Sequence, residues 1–125
     1  MIKDKEWRRI SGDESAVVTA IIESSGFPGG RTLIEELGEA VVSHETRWIL
    51  DIKTPHATSG VELPDGPFPA RAFVPSEPAY QGEVIVWIEN GHISGLEYAW
   101  VSDDPPTEWP RPDGMQIVPN PTPGD

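Results

Sequence analysis

The sequence lacks cysteine, has few basic residues and contains no long apolar run. Without cysteine, the chain of 125 residues can form neither a disulfide framework nor a thiolate site. Only 9 lysines and arginines stand against 21 aspartates and glutamates, a formal net charge of −12, so phosphate backbones and anionic membrane surfaces repel the chain. No stretch approaches the roughly 20 apolar residues that cross a bilayer, and the N-terminus has no apolar signal segment. Composition therefore predicts a cytoplasmic protein that binds neither nucleic acid nor membrane.

Basic residues are scarcest in the C-terminal part of the chain, where acids dominate. Residues 76–125 hold nine acids and one base, Arg111, whereas residues 1–75 hold 12 acids and 8 bases. Such a charge field steers cationic partners toward a surface. A tryptophan beyond the last expected strand adds a residue type that is enriched at binding hot spots. The predicted partner-binding residues are Glu83, Glu89, Glu97, Asp103, Asp104, Glu108 and Trp109.

Two helices are predicted near the N-terminus. Ser11 and Glu14 have the spacing of a capping box, in which each side chain accepts a hydrogen bond from the other residue's backbone N–H. Apolar residues at helical spacing follow, and Gly26 supplies a left-handed stop. A second, short helix is predicted to end at Gly38.

Strands are predicted from Ala40 onward, where the apolar period changes to two. The alternation predicts one long strand from Ala40 to Ile52 and a short one from Ala70 to Val74. Two further apolar runs, Glu83 to Glu89 and His92 to Val101, flank Asn90-Gly91, the dipeptide that best suits a type I′ turn. These last two runs are therefore predicted to form a β-hairpin.

Together these elements predict an α+β fold in which two N-terminal helices pack on a four-stranded antiparallel meander sheet. The connection from Pro55 to Pro69 is rich in turn residues and is expected to be irregular, with a short extended piece at Val61 to Leu63. The chain length fits one acidic domain over residues 1–119. Residues 120–125 are predicted to be a disordered, proline-rich tail, because such a segment buries too little apolar surface to offset its ordering entropy.

The hairpin has two possible registers. A strict two-residue turn leaves Gly95 opposite Val86 and places Trp87 on the face of Tyr98 and Trp100. A β-bulge at Ser94-Gly95 instead brings Tyr98 and Trp100 to the face of Val86 and turns Trp87 away. We favour the bulge, because it concentrates apolar side chains on one face. It also predicts that Trp87 packs against other elements, such as the C-terminal segment.

The hairpin and its flanks resemble a family of small, uncharacterised bacterial proteins. Gly82 to Trp87, then Leu96-Glu97-Tyr98 and Asp103-Asp104-Pro105-Pro106, are similar to the family's C-terminal signature. The segment Gly26 to Gly30 is similar to its helix-to-strand connection. The resemblance spans roughly residues 10–112 and implies a fold but no activity. Cysteines that are common in the family are missing here, so no metal site is carried over.

No catalytic motif surrounds the three histidines. His44 lies on the apolar face of the predicted long strand, His56 lies in a loop, and His92 is expected to form an exposed cross-strand pair with Glu89. The pair Asp103-Asp104 precedes two prolines, where it is interpreted as capping a turn rather than binding a hard cation. Phosphate-binding, dinucleotide-binding and metalloprotease motifs are absent. We therefore expect neither catalysis nor a cofactor or metal.

Two functions from different classes fit these observations. The first is a protein-binding module whose acidic surface binds a basic partner, as an immunity protein or antitoxin covers a cationic toxin. The alternative is a small-molecule-binding protein or enzyme with a pocket between helices and sheet, using His44 and the nearby Trp48. High acidity can also serve solubility alone.

Overall fold

The computed structural model describes residues 5–55, 60–75, 80–101 and 104–119. These ranges contain two α-helices and eight β-strands, and every strand pair is antiparallel, so the predicted α+β class is confirmed. The helices are α1 (Gly12–Ser25) and α2 (Gly30–Glu36), with 3₁₀ turns at Leu37–Glu39 and Pro112–Gly114. The strands are β1 (Arg8–Arg9), β2 (Val41–Thr46), β3 (Ile49–Lys53), β4 (Gly66–Pro67), β5 (Ala70–Pro75), β6 (Tyr80–Glu89), β7 (His92–Trp100) and β8 (Gln116–Pro119). The predicted tail, His56 and Asp103 lie outside the described residues.

Helix α1 begins and ends where the local sequence signals place it. The Ser11 hydroxyl accepts a hydrogen bond from the Glu14 N–H at 3.1 Å, and the Glu14 carboxylate accepts one from the Ser11 N–H at 2.9 Å, which completes the capping box. Gly26 ends the helix with φ of 71°. The buried side of α1 includes Val17 and Ile21, and the helix packs against α2, β5 and β8. Local signals thus set the two ends of this helix.

The sheet is larger than predicted and is not a simple meander. Among the described residues its strand order is β1-β2-β3-β7-β6-β5-β8, and β4 also pairs with β6. The prediction of four strands was wrong because β1, β4 and β8 have only two to four residues each, too few to show an alternating pattern. The predicted extended piece lies at Gly66–Pro67 rather than at Val61 to Leu63.

The predicted long strand is in fact two strands, β2 and β3, joined by a tight turn. The Thr46 hydroxyl accepts a hydrogen bond from the Trp48 N–H at 3.2 Å and stabilises the turn. Val42 pairs with Ile52 and His44 with Leu50, so the even-numbered residues of these pairs share a face. Nearer the turn the register shifts, and Thr46 lies opposite Ile49. In the sequence, Trp48, Leu50 and Ile52 continue the alternate spacing of Val42, which is why the pattern did not reveal the turn.

The hairpin of β6 and β7 has the turn and the bulge that the sequence predicted. Asn90 and Gly91 both have positive φ, 53° and 77°, as a type I′ turn requires. The register shifts at Ser94, so that Trp87 lies opposite Gly95 and Val86 opposite Leu96. Trp87 therefore points away from the core, as expected. Trp100 also falls on the core side by alternation, but it lies near the end of β7 and is 38% exposed.

One apolar core lies on a single side of the sheet, which we call the inner face. Alternate residues of β6, Val84, Val86 and Ile88, are buried there together with Leu96 of β7. Apolar side chains of α1 and α2 belong to the same core. Close by, the rings of Trp48, Tyr98 and Trp109 cluster at centroid distances of 5.2 to 6.0 Å. The inner face is thus filled, and the opposite side of the sheet is the outer face.

Candidate functional site

The outer face carries partly exposed side chains that alternate with the buried ones. In β6 these are Glu83, Ile85 and Trp87, and in β7 they are Glu97 and Ala99. Ile49 of β3 lies on the same face and is 36% exposed. The helices bury their apolar sides with the inner face. The outer face is therefore the side of the sheet that the helices leave accessible, and it carries both apolar and acidic side chains.

Glu97 lies at the centre of this face. One row across three strands runs from Ile49 to Glu97 to Ile85, so an aliphatic side chain flanks the carboxylate on each side. Along its own strand the next outward residue is Ala99. The Trp87 indole N–H donates a hydrogen bond to Glu97 Oε1 at 3.3 Å. We call these residues the outer patch: Ile49, Ile85, Trp87, Glu97 and Ala99.

The position of Trp87 depends on the bulge and on a glycine. Because Trp87 lies opposite Gly95, its indole packs where another residue would place a side chain. A Cβ atom at Gly95 would lie 3.4 Å from Trp87 Cβ, 3.5 Å from its Cδ1 and 3.1 Å from the Leu50 carbonyl oxygen. The distances to Trp87 are ordinary van der Waals contacts, so the tightest constraint at Gly95 is the close approach of the Leu50 carbonyl oxygen.

The two outward carboxylates of the hairpin differ in their partners. Glu83 accepts two hydrogen bonds from the Arg71 guanidinium, both at 3.0 Å. Glu97 has no lysine or arginine partner among the described residues, and its only side-chain donor there is Trp87. Every fully buried side-chain oxygen in these ranges has a hydrogen-bond partner. The second Glu97 oxygen has no partner there, so it is not fully buried and is open to solvent. The outer patch thus combines apolar surface with one carboxylate that has no counter-charge within the described ranges.

The other predicted partner-binding residues do not join this patch. Glu89 is exposed beside the hairpin turn, whereas Asp104 and Glu108 are exposed beyond the other end of β7, a nine-residue strand that spans roughly 30 Å. Trp109 is half-buried against Trp48 and Tyr98. The acidic residues therefore form no single cluster, and Glu83 and Glu97 are the two that the hairpin brings together.

The two described histidines, His44 and His92, have structural partners. His92 lies opposite Glu89 in the register, but its Nδ1 lies 3.1 Å from the Glu36 carboxylate of α2, so the predicted exposed pair with Glu89 was wrong. His44 is exposed at the end of β2 rather than within the apolar core. The Arg8 guanidinium lies 2.9 Å from His44 Nε2, and His44 Nδ1 lies 3.3 Å from the Thr46 carbonyl oxygen. Arg8 can only donate, so Nε2 accepts and Nδ1 donates.

A groove of about 600 Å³ opens beside His44, at the edge where β1 pairs with β2. It is lined by Lys5, Glu6, Trp7, Arg8, Ser43, His44 and Glu45. The alternative function required a cavity that reaches His44, and this groove does so. It lies at the sheet edge rather than between helices and sheet, and Trp48 does not line it. The ammonium group of Lys53 lies 4.3 Å from the centre of the Trp7 ring.

Arg8 also joins the groove to the start of α1. Its guanidinium donates to both carboxylate oxygens of the buried Glu14, at 3.0 and 2.7 Å. Burial alone would raise the pKa of Glu14, but hydrogen bonds from Arg8 and Ser11, with the charge of Arg8, outweigh burial and lower that pKa. Sequence reasoning found the cap but missed the ion pair, because nothing local links Arg8 to Glu14. Hydrogen bonds in this network fix the positions of the Arg8 and His44 side chains, which gives both residues a structural role.

Neither a metal site nor a membrane-spanning helix is found among the described residues. Within the described ranges, no three side chains of His, Cys, Asp or Glu lie close enough to hold a metal ion. No helix there is long and apolar enough to cross a membrane. Comparison with family models, with curated proteins and with solved structures gives no match for this chain. The geometry of the outer patch and of the edge groove therefore carries the functional argument.

Proposed function

We propose that this chain is a non-enzymatic protein-binding module whose outer patch docks on a basic partner protein. An immunity or antitoxin role, in which the chain covers a cationic toxin, belongs to this class. The observation that carries the proposal is Glu97, a carboxylate with no cationic partner among the described residues, set between Ile49 and Ile85. Tryptophan is enriched at interface centres, and a carboxylate beside it favours a cationic group on the partner.

Charge complementarity indicates the class of partner. The chain carries a formal net charge of −12, so it attracts basic proteins over long range and accelerates their association at low salt. The same charge opposes docking of a second copy of the chain on the patch, because both copies repel each other. The partner we propose is therefore a different protein with a basic surface.

The experiment is affinity capture from the native host with the wild-type chain and two charge-reversal variants. Glu97→Lys places a cation at the centre of the outer patch, and Glu23→Lys makes the same change of net charge at an exposed position on α1. At low salt we expect wild type and Glu23→Lys to capture the same basic protein, and Glu97→Lys to lose it. High salt should weaken the capture.

Two outcomes would contradict the proposal. If no basic protein is captured at low salt, the patch has no such partner. If Glu23→Lys loses the protein as fully as Glu97→Lys, net charge rather than the outer patch holds it. Circular dichroism of both variants confirms that each is folded before capture.

A second candidate function is small-molecule binding in the edge groove. Its support is the open volume beside Trp7, with Lys53 against the ring and Ser43 buried at the groove wall. Catalysis by His44 is disfavoured, because both ring nitrogens already have hydrogen-bond partners. A thermal-shift screen of metabolites with wild type and Trp7→Ala tests it: a groove ligand raises the melting temperature of wild type only, and a screen without such a ligand removes this candidate.

A further inference from the structure

We infer that the outer patch is a receptor for an arginine side chain of the partner, with the guanidinium paired to Glu97 and lying against Trp87. This inference rests on the proposed function and names the chemical group that the patch recognises. It concerns one side chain at the centre of the interface, whereas the proposed function concerns the docking of a whole basic protein.

The protein itself contains a filled example of the same arrangement on the same face. Phe73 of β5 lies directly opposite Glu83 of β6, so an aromatic ring and a carboxylate are neighbours across two strands. Arg71 donates two hydrogen bonds to Glu83 at 3.0 Å, and its guanidinium carbon lies 4.8 Å from the centre of the Phe73 ring. Carboxylate, aromatic ring and guanidinium thus form one unit.

Glu97 and Trp87 repeat two parts of that unit without the third. Ile85 lies opposite Glu97, and Trp87 is the next outward residue of the same strand, so the indole and carboxylate are diagonal neighbours. The hydrogen bond of 3.3 Å fixes the indole beside the carboxylate. No lysine or arginine among the described residues pairs with Glu97. In the part of the chain that the structure describes, no basic side chain takes beside Glu97 the place that Arg71 takes beside Glu83.

The surroundings favour arginine over lysine. Ile49, Ile85 and Ala99 offer no hydrogen-bond acceptors from their side chains, so a bound cation gives up water there. A guanidinium is planar and weakly hydrated, and it can stack on an indole while it donates to a carboxylate. An ammonium group is compact and strongly hydrated, so it loses more by entering apolar surroundings. The open Glu97 oxygen supplies the acceptor that an arginine needs.

The test uses two blocked tripeptides, acetyl-Leu-Arg-Leu-amide and acetyl-Leu-Lys-Leu-amide, titrated into the ¹⁵N-labelled full chain. The readout is the indole N–H resonance of Trp87, assigned from its loss in Trp87→Phe. We expect the arginine peptide to shift this resonance, with an affinity about threefold or more above that of the lysine peptide. In Glu97→Gln the affinity should fall about tenfold, and in Glu23→Gln it should not change.

Equal affinity for the two peptides, or an unchanged affinity in Glu97→Gln, would overturn the arginine receptor. These failures are separable from failure of the proposed function. If Glu97→Lys abolishes capture of a basic protein while the peptides show no arginine preference, the result supports docking on the outer patch and refutes the arginine receptor. If the arginine peptide binds through Glu97 but no basic protein is captured, the result supports the arginine receptor and refutes the proposed function.

Discussion

Substitution of Gly91 by alanine should destabilise the protein through two separable effects. Gly91 is the second residue of the hairpin turn and has φ of 77°, which costs a residue with a side chain about 1 kcal/mol. A Cβ atom there would also lie 2.7 Å from the Val61 nitrogen and 2.8 Å from Gly60 Cα, both backbone atoms. Alanine therefore strains the turn and displaces the neighbouring loop.

The loop that would be displaced contacts the turn at two points. The Val61 N–H donates to the Gly91 carbonyl at 2.9 Å, and the Asp65 carboxylate accepts from the Asn90 N–H at 2.9 Å. Loss of the first bond costs about 1 kcal/mol, and the steric overlap adds about 1 kcal/mol more. With the left-handed strain, the expected loss for Gly91→Ala is about 3 kcal/mol.

Gly26 provides a matched control. It has φ of 71°, yet a Cβ atom built on it meets nothing within 4 Å. Gly26→Ala should therefore show the left-handed strain alone, about 1 kcal/mol. Urea unfolding followed by tryptophan fluorescence measures both variants. If Gly91→Ala is no less stable than Gly26→Ala, the loop does not pack on the turn as described, and the reasoning fails.

Three further substitutions test side-chain contacts of the fold. Glu14→Gln should cost about 1.5 kcal/mol at neutral pH, since it removes a charge-assisted pair with Arg8, which is itself 43% exposed. Because folding lowers the pKa of Glu14, this contribution is complete above its ordinary value of 4.5 and is lost as pH falls through the folded pKa. The stability difference between wild type and Glu14→Gln should therefore narrow below about pH 4.5 in urea titrations, and a constant difference would contradict the assignment. Trp109→Ala should cost about 2 kcal/mol and weaken the near-ultraviolet circular dichroism of the aromatic cluster. Trp100 is exposed, so Trp100→Ala should lower the free energy of unfolding by less than Trp109→Ala does. A larger loss in Trp100→Ala would show that Trp109 does not pack as described.

Elements with strong local signals could be predicted from the sequence. The capping box of Ser11 and Glu14 satisfies two of its own backbone N–H groups, and Asn90 and Gly91 readily adopt the positive φ angles that their turn requires. Both features are therefore encoded by residues that are adjacent in the sequence. The short strands β1, β4 and β8 could not be predicted, because only their tertiary partners hold them extended. The turn between β2 and β3 was missed because the alternate spacing of apolar residues in the sequence continues through it.

The sequence was enough to predict which acidic residues belong to the candidate site, but not how the structure arranges them. Glu83 and Glu97 were both predicted from charge. Strand register decides that Glu83 pairs with Arg71 whereas Glu97 accepts a hydrogen bond from Trp87. The bulge at Ser94 places Glu97 opposite Ile85, whereas a strict turn would place it opposite the buried Val84. The pairing of Arg71 with Glu83 follows from the register of β5 and β6, which no local pattern encodes.

The most direct test of the central claim is hydroxyl-radical footprinting of the chain with its captured basic partner. Mass spectrometry would report the oxidation of Trp87, at the outer patch, and of Trp100, which is exposed at the end of β7. Docking on the outer patch predicts that the partner protects Trp87 and leaves Trp100 unchanged. Equal oxidation of Trp87 with and without the bound partner would contradict the claim that the outer patch is the docking surface.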